Sequence, residues 1–224
     1  MKLFSFLFTS SIGRKILMSV TGLSLVAFLL VHCSINACIF FNDHGKTFNE
    51  AAAFMGNNWL IRSAEIGLFV GLLLHSFQGL YLWASNDQKR KQKYHTTAGN
   101  SNSKWYSRSM GILGSLLLLF LVLHLSHFWV VSRFTDELSE TGSNTLFHKM
   151  SLIFQSPVIV IVYVIGCISL AYHLLHGFQS GFQSLGFNHP LLNPIIKNFG
   201  IVFSLLVPLI FASMPIVMYL GWIK

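Results

Sequence analysis

The chain has 224 residues, of which 53% are hydrophobic and only 10% are charged. This composition excludes an ordinary soluble domain, in which about a quarter of the residues are charged. A net charge of +8 would suit a nucleic-acid-binding protein, but the positive residues are concentrated in one loop between apolar segments. We therefore expect a membrane protein with no nucleic-acid partner.

The first residues, MKLFSFLFTSSIGRK, have the Lys2 and the short apolar run of a signal peptide. The run is too short for one, and Arg14 and Lys15 stand where a cleavage site should lie. This segment is predicted to be a retained helix at the membrane interface.

Five later segments are apolar over the roughly 20 residues that a helix needs to cross a hydrocarbon core of about 30 Å. They comprise residues 16–41, 60–85, 110–131, 157–178 and 199–222. The predicted fold is an all-α membrane protein with one transmembrane domain, residues 1–224. Its first four helices are expected to form a bundle.

The loop between the second and third segments is strongly basic, whereas the loops on either side of it are balanced or acidic. Against one acid, Asp87, it carries Lys89, Arg90, Lys91, Lys93, Lys104 and Arg108. Since positive loops face the cytoplasm, the N-terminus is expected in the cytoplasm and the C-terminus outside. The basic loop would lie near anionic lipid or serve as a docking surface for a cytoplasmic partner.

Six of the ten histidines lie within the predicted helices: His32, His75, His124, His127, His173 and His176. A single membrane histidine is usually hydrogen-bonded to a neighbouring helix, but ionisable residues at this depth indicate a functional site by default. Six such histidines on four helices favour a functional site over six separate structural hydrogen bonds.

The predicted orientation assigns a depth to each histidine. His32, about 25 Å along its helix from Lys15, and His124 fall in the outer half of the membrane. His75 and His173 fall in the inner half. Two imidazoles that face each other in a helical bundle are the usual ligands of a b-type haem, and the chain has no CxxCH attachment motif.

Small residues flank two of these histidines at four-residue spacing, with Gly71 and Gly79 around His75. Helix 4 has the same pattern around His173, in Ser169, Gly177 and Gly181. Such residues leave room for a flat porphyrin, or they let helices pack closely.

Two helices offer a choice of ligand. Alignment of HSFQG with HLLHG favours His173 over His176, which would then support a propionate or proton movement. His124 is favoured over His127 because it lies deeper and Phe120 and Phe128 flank it.

The stretches FLLVHCSIN, LLLHSFQGLYL, FLVLHLSHFW and AYHLLHGFQS resemble the di-haem cytochrome b subunit of succinate:quinone oxidoreductases, the membrane anchor of succinate dehydrogenases and fumarate reductases. The resemblance implies two haem b groups, with His75 and His173 holding the one nearer the cytoplasm. It also implies a flavoprotein subunit and an iron–sulfur subunit on that side, a bacterial cytoplasmic membrane, and a quinone, with menaquinone favoured over ubiquinone by family analogy.

Glu65 is the only acidic residue within a predicted span, and it follows Trp59 and Arg62 near the outer end of helix 2. We expect Glu65 to move protons at a quinone site that includes Trp59. The alternative is a salt bridge between Glu65 and Arg62.

Three arginines are candidate partners of haem propionates: Arg14, Arg62 and Arg108. They would serve equally well as interface anchors.

Two other functions fit parts of this pattern. One is the cytochrome b anchor of a hydrogenase or formate dehydrogenase, in which the histidine spacing differs. The other is a haem-free transporter with a histidine proton relay; against it, the spans contain no second carboxylate.

Overall fold

The computed structural model describes residues 2–89, 105–138 and 144–223, and within these ranges it contains helices and turns but no strand. Most of the predicted basic loop lies outside the described residues. The α-helices are α1 Lys2–Thr9, α2 Ser11–Ala37, α3 Lys46–Asn57, α4 Trp59–Lys89, α5 Trp105–Arg108, α6 Met110–His124, α7 Val130–Phe134, α8 Leu146–Ile153, α9 Pro157–Ser184 and α10 Leu192–Tyr219.

Five helical segments in the described part of the chain are long and apolar enough to cross a membrane, which confirms the predicted all-α membrane fold. They are Ser11–Phe41, Trp59–Ser85, Met110–Phe134, Pro157–Ser184 and Leu192–Tyr219. The fourth segment ends six residues later than predicted, and the fifth begins seven residues earlier and ends three residues earlier. The added residues are partly polar, because a helix continues into polar residues once its apolar part is formed. Pro194 lies in the first turn of α10, where proline costs no helical hydrogen bond.

Two irregular segments interrupt the long helices. A 3₁₀ turn, Cys38–Phe41, follows α2 and ends at Asn42, whose φ is 52°. A π-helical segment, Leu125–Trp129, joins α6 to α7 without ending the helix. Wide turns of this kind are rare and often lie at functional sites.

The helices contribute to two compact units, and the prediction of a single domain stays a prediction. The first unit comprises the described residues of Met1–Ala27, Leu68–Leu116 and Ser169–Leu205. Aromatic rings pack directly on glycines in it: a Cβ atom on Gly111 would lie 2.4 Å from the Trp83 ring. These close contacts hold α4 to α6.

The second unit comprises the described residues of Phe28–Gly67, Leu117–Ile168 and Leu206–Lys224. Its core joins the connecting helices α3 and α8 to the longer helices through the buried side chains Ile39, Phe48, Phe147, Met150, Phe154, Val160, Tyr163 and Met214. Asn49 Oδ1 on α3 accepts a hydrogen bond of 3.1 Å from the Phe147 backbone N–H at the start of α8. Burial of each large apolar side chain from water contributes about 1.5 to 3 kcal/mol.

Candidate functional site

His32 on α2 and His124 at the end of α6 lie side by side in the second unit. Their ring centroids are 5.8 Å apart, and the ring planes are nearly perpendicular, at 88°. The structure thus brings together the two histidines that the depth argument assigns to the outer half of the membrane.

His75 on α4 and His173 on α9 form a second pair, in the first unit. Their ring centroids are 6.2 Å apart, with the planes inclined at 68°. The four histidines therefore come from four helices and form two separate pairs.

Both separations fit two imidazoles that bind one metal ion from opposite sides. A metal–nitrogen bond of about 2 Å, and roughly 1 Å from that nitrogen to the ring centre, place the two ring centres about 6 Å apart. The observed values are 5.8 Å and 6.2 Å. Rings in direct contact also lie about 4.5 to 7 Å apart, so the donor atoms must decide what the pairs can bind.

The ring nitrogens include buried atoms that no protein group satisfies. Nδ1 of His124 and Nδ1 of His173 are buried and have no hydrogen-bond partner among the described residues. Buried polar atoms nearly always have a partner, so these two are available to a ligand or a solvent molecule.

The number of ligands is also informative. In residues 2–89, 105–138 and 144–223, no group of three or more His, Cys, Asp or Glu side chains could hold a metal ion. Each histidine pair instead offers two nitrogens, and two are what a haem iron takes from the protein when the porphyrin fills the other four positions. The donor set fits a bis-histidine haem at each pair.

The glycines that flank His75 and His173 fall into two groups. Beside Gly71 and Gly177, a Cβ atom would meet nothing within 4 Å, so both border open space. Beside Gly79 and Gly181, it would meet flexible side chains of α2 at 3.1 Å and 3.3 Å. Half of the predicted groove is therefore open, and the other half is occupied by helix packing.

Aromatic rings surround the His32–His124 pair. Phe28 stacks on His32 at 5.1 Å, and Phe120 stacks on His124 at 5.7 Å. Three more rings lie within 6.0 Å of one of the two imidazoles: Phe128, Tyr163 and Phe211. This apolar surrounding would exclude water from a bound cofactor.

His127 lies in the π-helical segment and contacts a residue that the sequence analysis did not single out. Its Nδ1 shares a hydrogen bond of 2.9 Å with the Tyr163 hydroxyl, and the two rings are nearly parallel, at 5°. His176 lies half-buried on α9, three residues after His173. The choice of His124 over His127 and of His173 over His176 as haem ligand stays a prediction.

Glu65 pairs with Arg133 of α7 and not with Arg62. Arg133 Nη2 lies 3.1 Å from Glu65 Oε2, and the Trp129 indole N–H donates to Glu65 Oε1. Arg62 is exposed, and Trp59 is 76% exposed at the start of α4. The salt-bridge alternative therefore had the right chemistry and the wrong partner, and the quinone role of Glu65 and Trp59 stays a prediction.

Arg14 has contacts within the protein that suit an anchor. Its guanidinium donates to the Thr9 carbonyl at 2.8 Å, at the end of α1, and lies 5.5 Å from the centre of the Tyr81 ring. Arg108 is exposed and ends the short helix α5. The propionate role proposed for these arginines stays a prediction, and the contacts of Arg14 support the anchor alternative.

Comparison of the chain with protein-family models, with curated proteins and with solved structures finds no match.

Proposed function

We propose that the chain is the di-haem cytochrome b membrane anchor of a succinate:quinone oxidoreductase, a succinate dehydrogenase or fumarate reductase. The observation that carries the proposal is the pairing of four histidines from four helices, at 5.8 Å and 6.2 Å. The same kind of pair occurs once in each unit, which favours a shared function for the two pairs over unrelated packing contacts. The resemblance of the histidine stretches to that subunit type supports the same function.

In this proposal, His32 and His124 hold one haem b, and His75 and His173 hold the other. A haem iron with all six positions filled carries single electrons and binds neither oxygen nor substrate. The protein has two other tasks in this proposal. Its helices fix the positions of the two imidazole pairs, and the aromatic side chains around His32 and His124 exclude water.

Glu65 is proposed to exchange protons with a quinone, most simply menaquinone, whose reduction to quinol consumes two protons. Arg133 and Trp129 support this role because they hold both carboxylate oxygens in one place. A carboxyl group with a fixed position is better able to lie within hydrogen-bond distance of a quinone oxygen.

The succinate and fumarate chemistry is assigned to partners, a flavoprotein subunit and an iron–sulfur subunit on the cytoplasmic side. The proposed location is a bacterial cytoplasmic membrane, with the N-terminus in the cytoplasm and the C-terminus outside. The basic loop between Lys89 and Arg108 is proposed to face those partners or the lipid surface, because positive loops face the cytoplasm.

The experiment that tests this function measures the ratio of haem to this chain in the complex that co-purifies with it, together with a reduced-minus-oxidised spectrum. We expect two b-type haems per polypeptide, together with a flavin-containing partner in the purified complex. A ratio near zero would overturn the proposal, and a ratio near one would show that one histidine pair is misassigned. Two haems with a partner that lacks flavin would favour the anchor of another oxidoreductase.

A further inference from the structure

A buried hydroxyl on α2 contacts one of the paired histidines. Thr21 is 6% exposed, and its Oγ1 lies 3.3 Å from Nδ1 of His75 on α4, within the first unit. The neighbouring Gly22 gives the imidazole room, because a Cβ atom there would lie 3.1 Å from Cε1 and 3.5 Å from Nδ1 of His75. Thr21 and Gly22 together contact the Nδ1–Cε1 edge of the His75 ring.

The hydrogen bonds of Thr21 determine which partner gives the proton. Its hydroxyl lies 2.8 Å from the Leu17 carbonyl oxygen, one turn earlier on α2, and 3.2 Å from the Met18 carbonyl oxygen. Both contacts are shorter than the 3.3 Å to His75 Nδ1, and the contact with Leu17 is the shortest. A hydroxyl has one proton to donate, and a carbonyl oxygen can only accept. The Thr21 proton therefore goes to Leu17, and Thr21 Oγ1 accepts a proton from His75 Nδ1.

A neutral imidazole carries its proton on one nitrogen and its lone pair on the other. If Nδ1 of His75 holds the proton, Nε2 holds the lone pair, and Nε2 is then the nitrogen that is able to bind a metal. Hydrogen bonds from the second nitrogen of a ligating histidine are known to fix the ring and to make the ligand more basic.

We propose that Thr21 is a positioning residue that keeps His75 in the tautomer with Nδ1 protonated and Nε2 free to ligate. The inference rests on the proposed function, since it assigns a role to a residue that contacts one of the proposed haem ligands. His173, on the other side of the pair, has a buried Nδ1 without a partner among the described residues. Thr21 thus acts on one of the two ligands.

The direction of the effect follows from ligand basicity. A more basic imidazole stabilises the ferric state over the ferrous state, because the ferric iron carries more positive charge. Removing the Thr21 hydroxyl as an acceptor should therefore shift the midpoint potential of the His75–His173 haem to a more positive value. The other haem, whose ligands are His32 and His124, should keep its potential.

The test compares three variants of the full chain by redox titration of both haems. Thr21→Val removes the hydroxyl and keeps the shape, and it should shift the potential of one haem only. Thr21→Ser restores the hydroxyl and should restore the potential. Ser19→Ala is the matched control, because Ser19 is a buried residue on the same helix whose hydroxyl donates to the Lys15 carbonyl at 2.8 Å; it should leave both potentials unchanged.

A second measurement does not depend on haem. Nitrogen-15 NMR of the full chain, labelled at histidine and prepared without haem, should show His75 with its proton on Nδ1, identified by the signal that His75→Gln removes. A proton on Nε2 would overturn the inference. So would an unchanged potential in Thr21→Val with both haems bound, and the proposed function would then still stand. A wild-type chain that takes up no haem would overturn the proposed function instead, and the NMR spectrum would still decide the tautomer.

Discussion

Arg133 Nη2 lies 3.1 Å from Glu65 Oε2, and its Nε lies 3.4 Å from the other carboxylate oxygen. The side chains are 22% and 19% exposed, so the pair is largely withdrawn from solvent. Trp129, four residues before Arg133, donates its indole N–H to the same carboxylate. The only acidic side chain within the predicted spans is therefore held from two sides by one helical segment.

The first prediction is that Glu65→Gln abolishes succinate-to-quinone turnover and leaves both haems bound. Glutamine keeps the size of the side chain and loses the group that exchanges a proton. The measurement compares the succinate-to-quinone rate with the rate to an artificial acceptor in one preparation, and only the first should fall. Glu50→Gln, on the exposed surface of α3, is the control. Normal rates in both assays would remove Glu65 from the quinone site.

The second prediction concerns Arg133, which leaves a partly buried carboxylate unpaired when it is removed. Arg133→Gln should lower the free energy of unfolding by about 1.5 to 3 kcal/mol, the usual range for a hydrogen bond to a charged group, and should reduce quinone turnover. The exposed pair of Lys149 and Glu137 is the comparison: Lys149→Gln should cost at most about 1 kcal/mol. Equal costs for the two variants, in chemical denaturation, would contradict the structural role given to Arg133.

The third prediction separates two histidines on α9. His173→Ala should remove the second ligand of one haem, so that one low-spin signal is lost in electron paramagnetic resonance. His176→Ala should leave both low-spin signals in place. The physical reason is geometric, since the ring of His173 lies 6.2 Å from that of His75. The reverse result would mean that the alignment of HSFQG with HLLHG misassigns the ligand.

The fourth prediction concerns Gly45, which has a positive φ of 75° and packs against the Phe147 side chain. A Cβ atom there would lie 2.1 Å from Phe147 Cγ, so Gly45→Ala meets both a backbone cost of about 1 to 2 kcal/mol and a steric clash. Gly186 is a matched control, with φ of 90° and nothing within 4 Å of a Cβ atom. In thermal unfolding, Gly186→Ala should show the backbone cost alone, and Gly45→Ala a clearly larger loss. Equal losses would mean that the Phe147 ring moves aside freely.

The fifth prediction is a loss of stability at low pH that depends on Asp43, in the connection before α3. Hydrogen bonds from the Thr47 side chain and backbone N–H hold the pKa of the Asp43 carboxyl below its ordinary value of 3.8. Because the folded-state pKa is the lower one, the stabilisation is fully present above that ordinary value. It is lost as the pH falls through the folded-state pKa. Asp43→Asn should remove this part of the pH dependence as the pH falls below about 5 in thermal unfolding; an unchanged pH profile would contradict it.

The membrane fold was predictable because a span of about 20 apolar residues has few other uses. The helix ends were less so: α10 begins at Leu192, where the sequence predicted residue 199, because Asn193 and Lys197 interrupt the apolar pattern without interrupting the helix. The depth of each histidine followed from the charges at the ends of its helix. The pairs seen in the structure are the pairs that this depth argument names, while their role as haem ligands stays a prediction.

The contacts across helices were not predictable in the same way. Tyr163, Thr21 and Arg133 each contact a residue singled out in the sequence, from positions 36, 54 and 68 residues away. A single hydroxyl in an apolar helix has no periodic signal, and its partner depends on which helices pack and on how each is rotated. One signal was present for Arg133: it lies near the end of its span, as Glu65 does, with the opposite charge.

The π-helical segment Leu125–Trp129 has a consequence for the alignment of this chain with its relatives. A wide turn accommodates one more residue than an α-helical turn, and each residue of a regular helix accounts for about 100° of rotation. Arg133 therefore faces the direction that a residue one position earlier would face in an uninterrupted helix that starts at His124. A relative with a regular helix here would keep both the histidine and the arginine contact with one residue fewer between them. The extra residue would then appear as a single-residue gap inside a membrane-spanning helix, between two contacts that both chains retain.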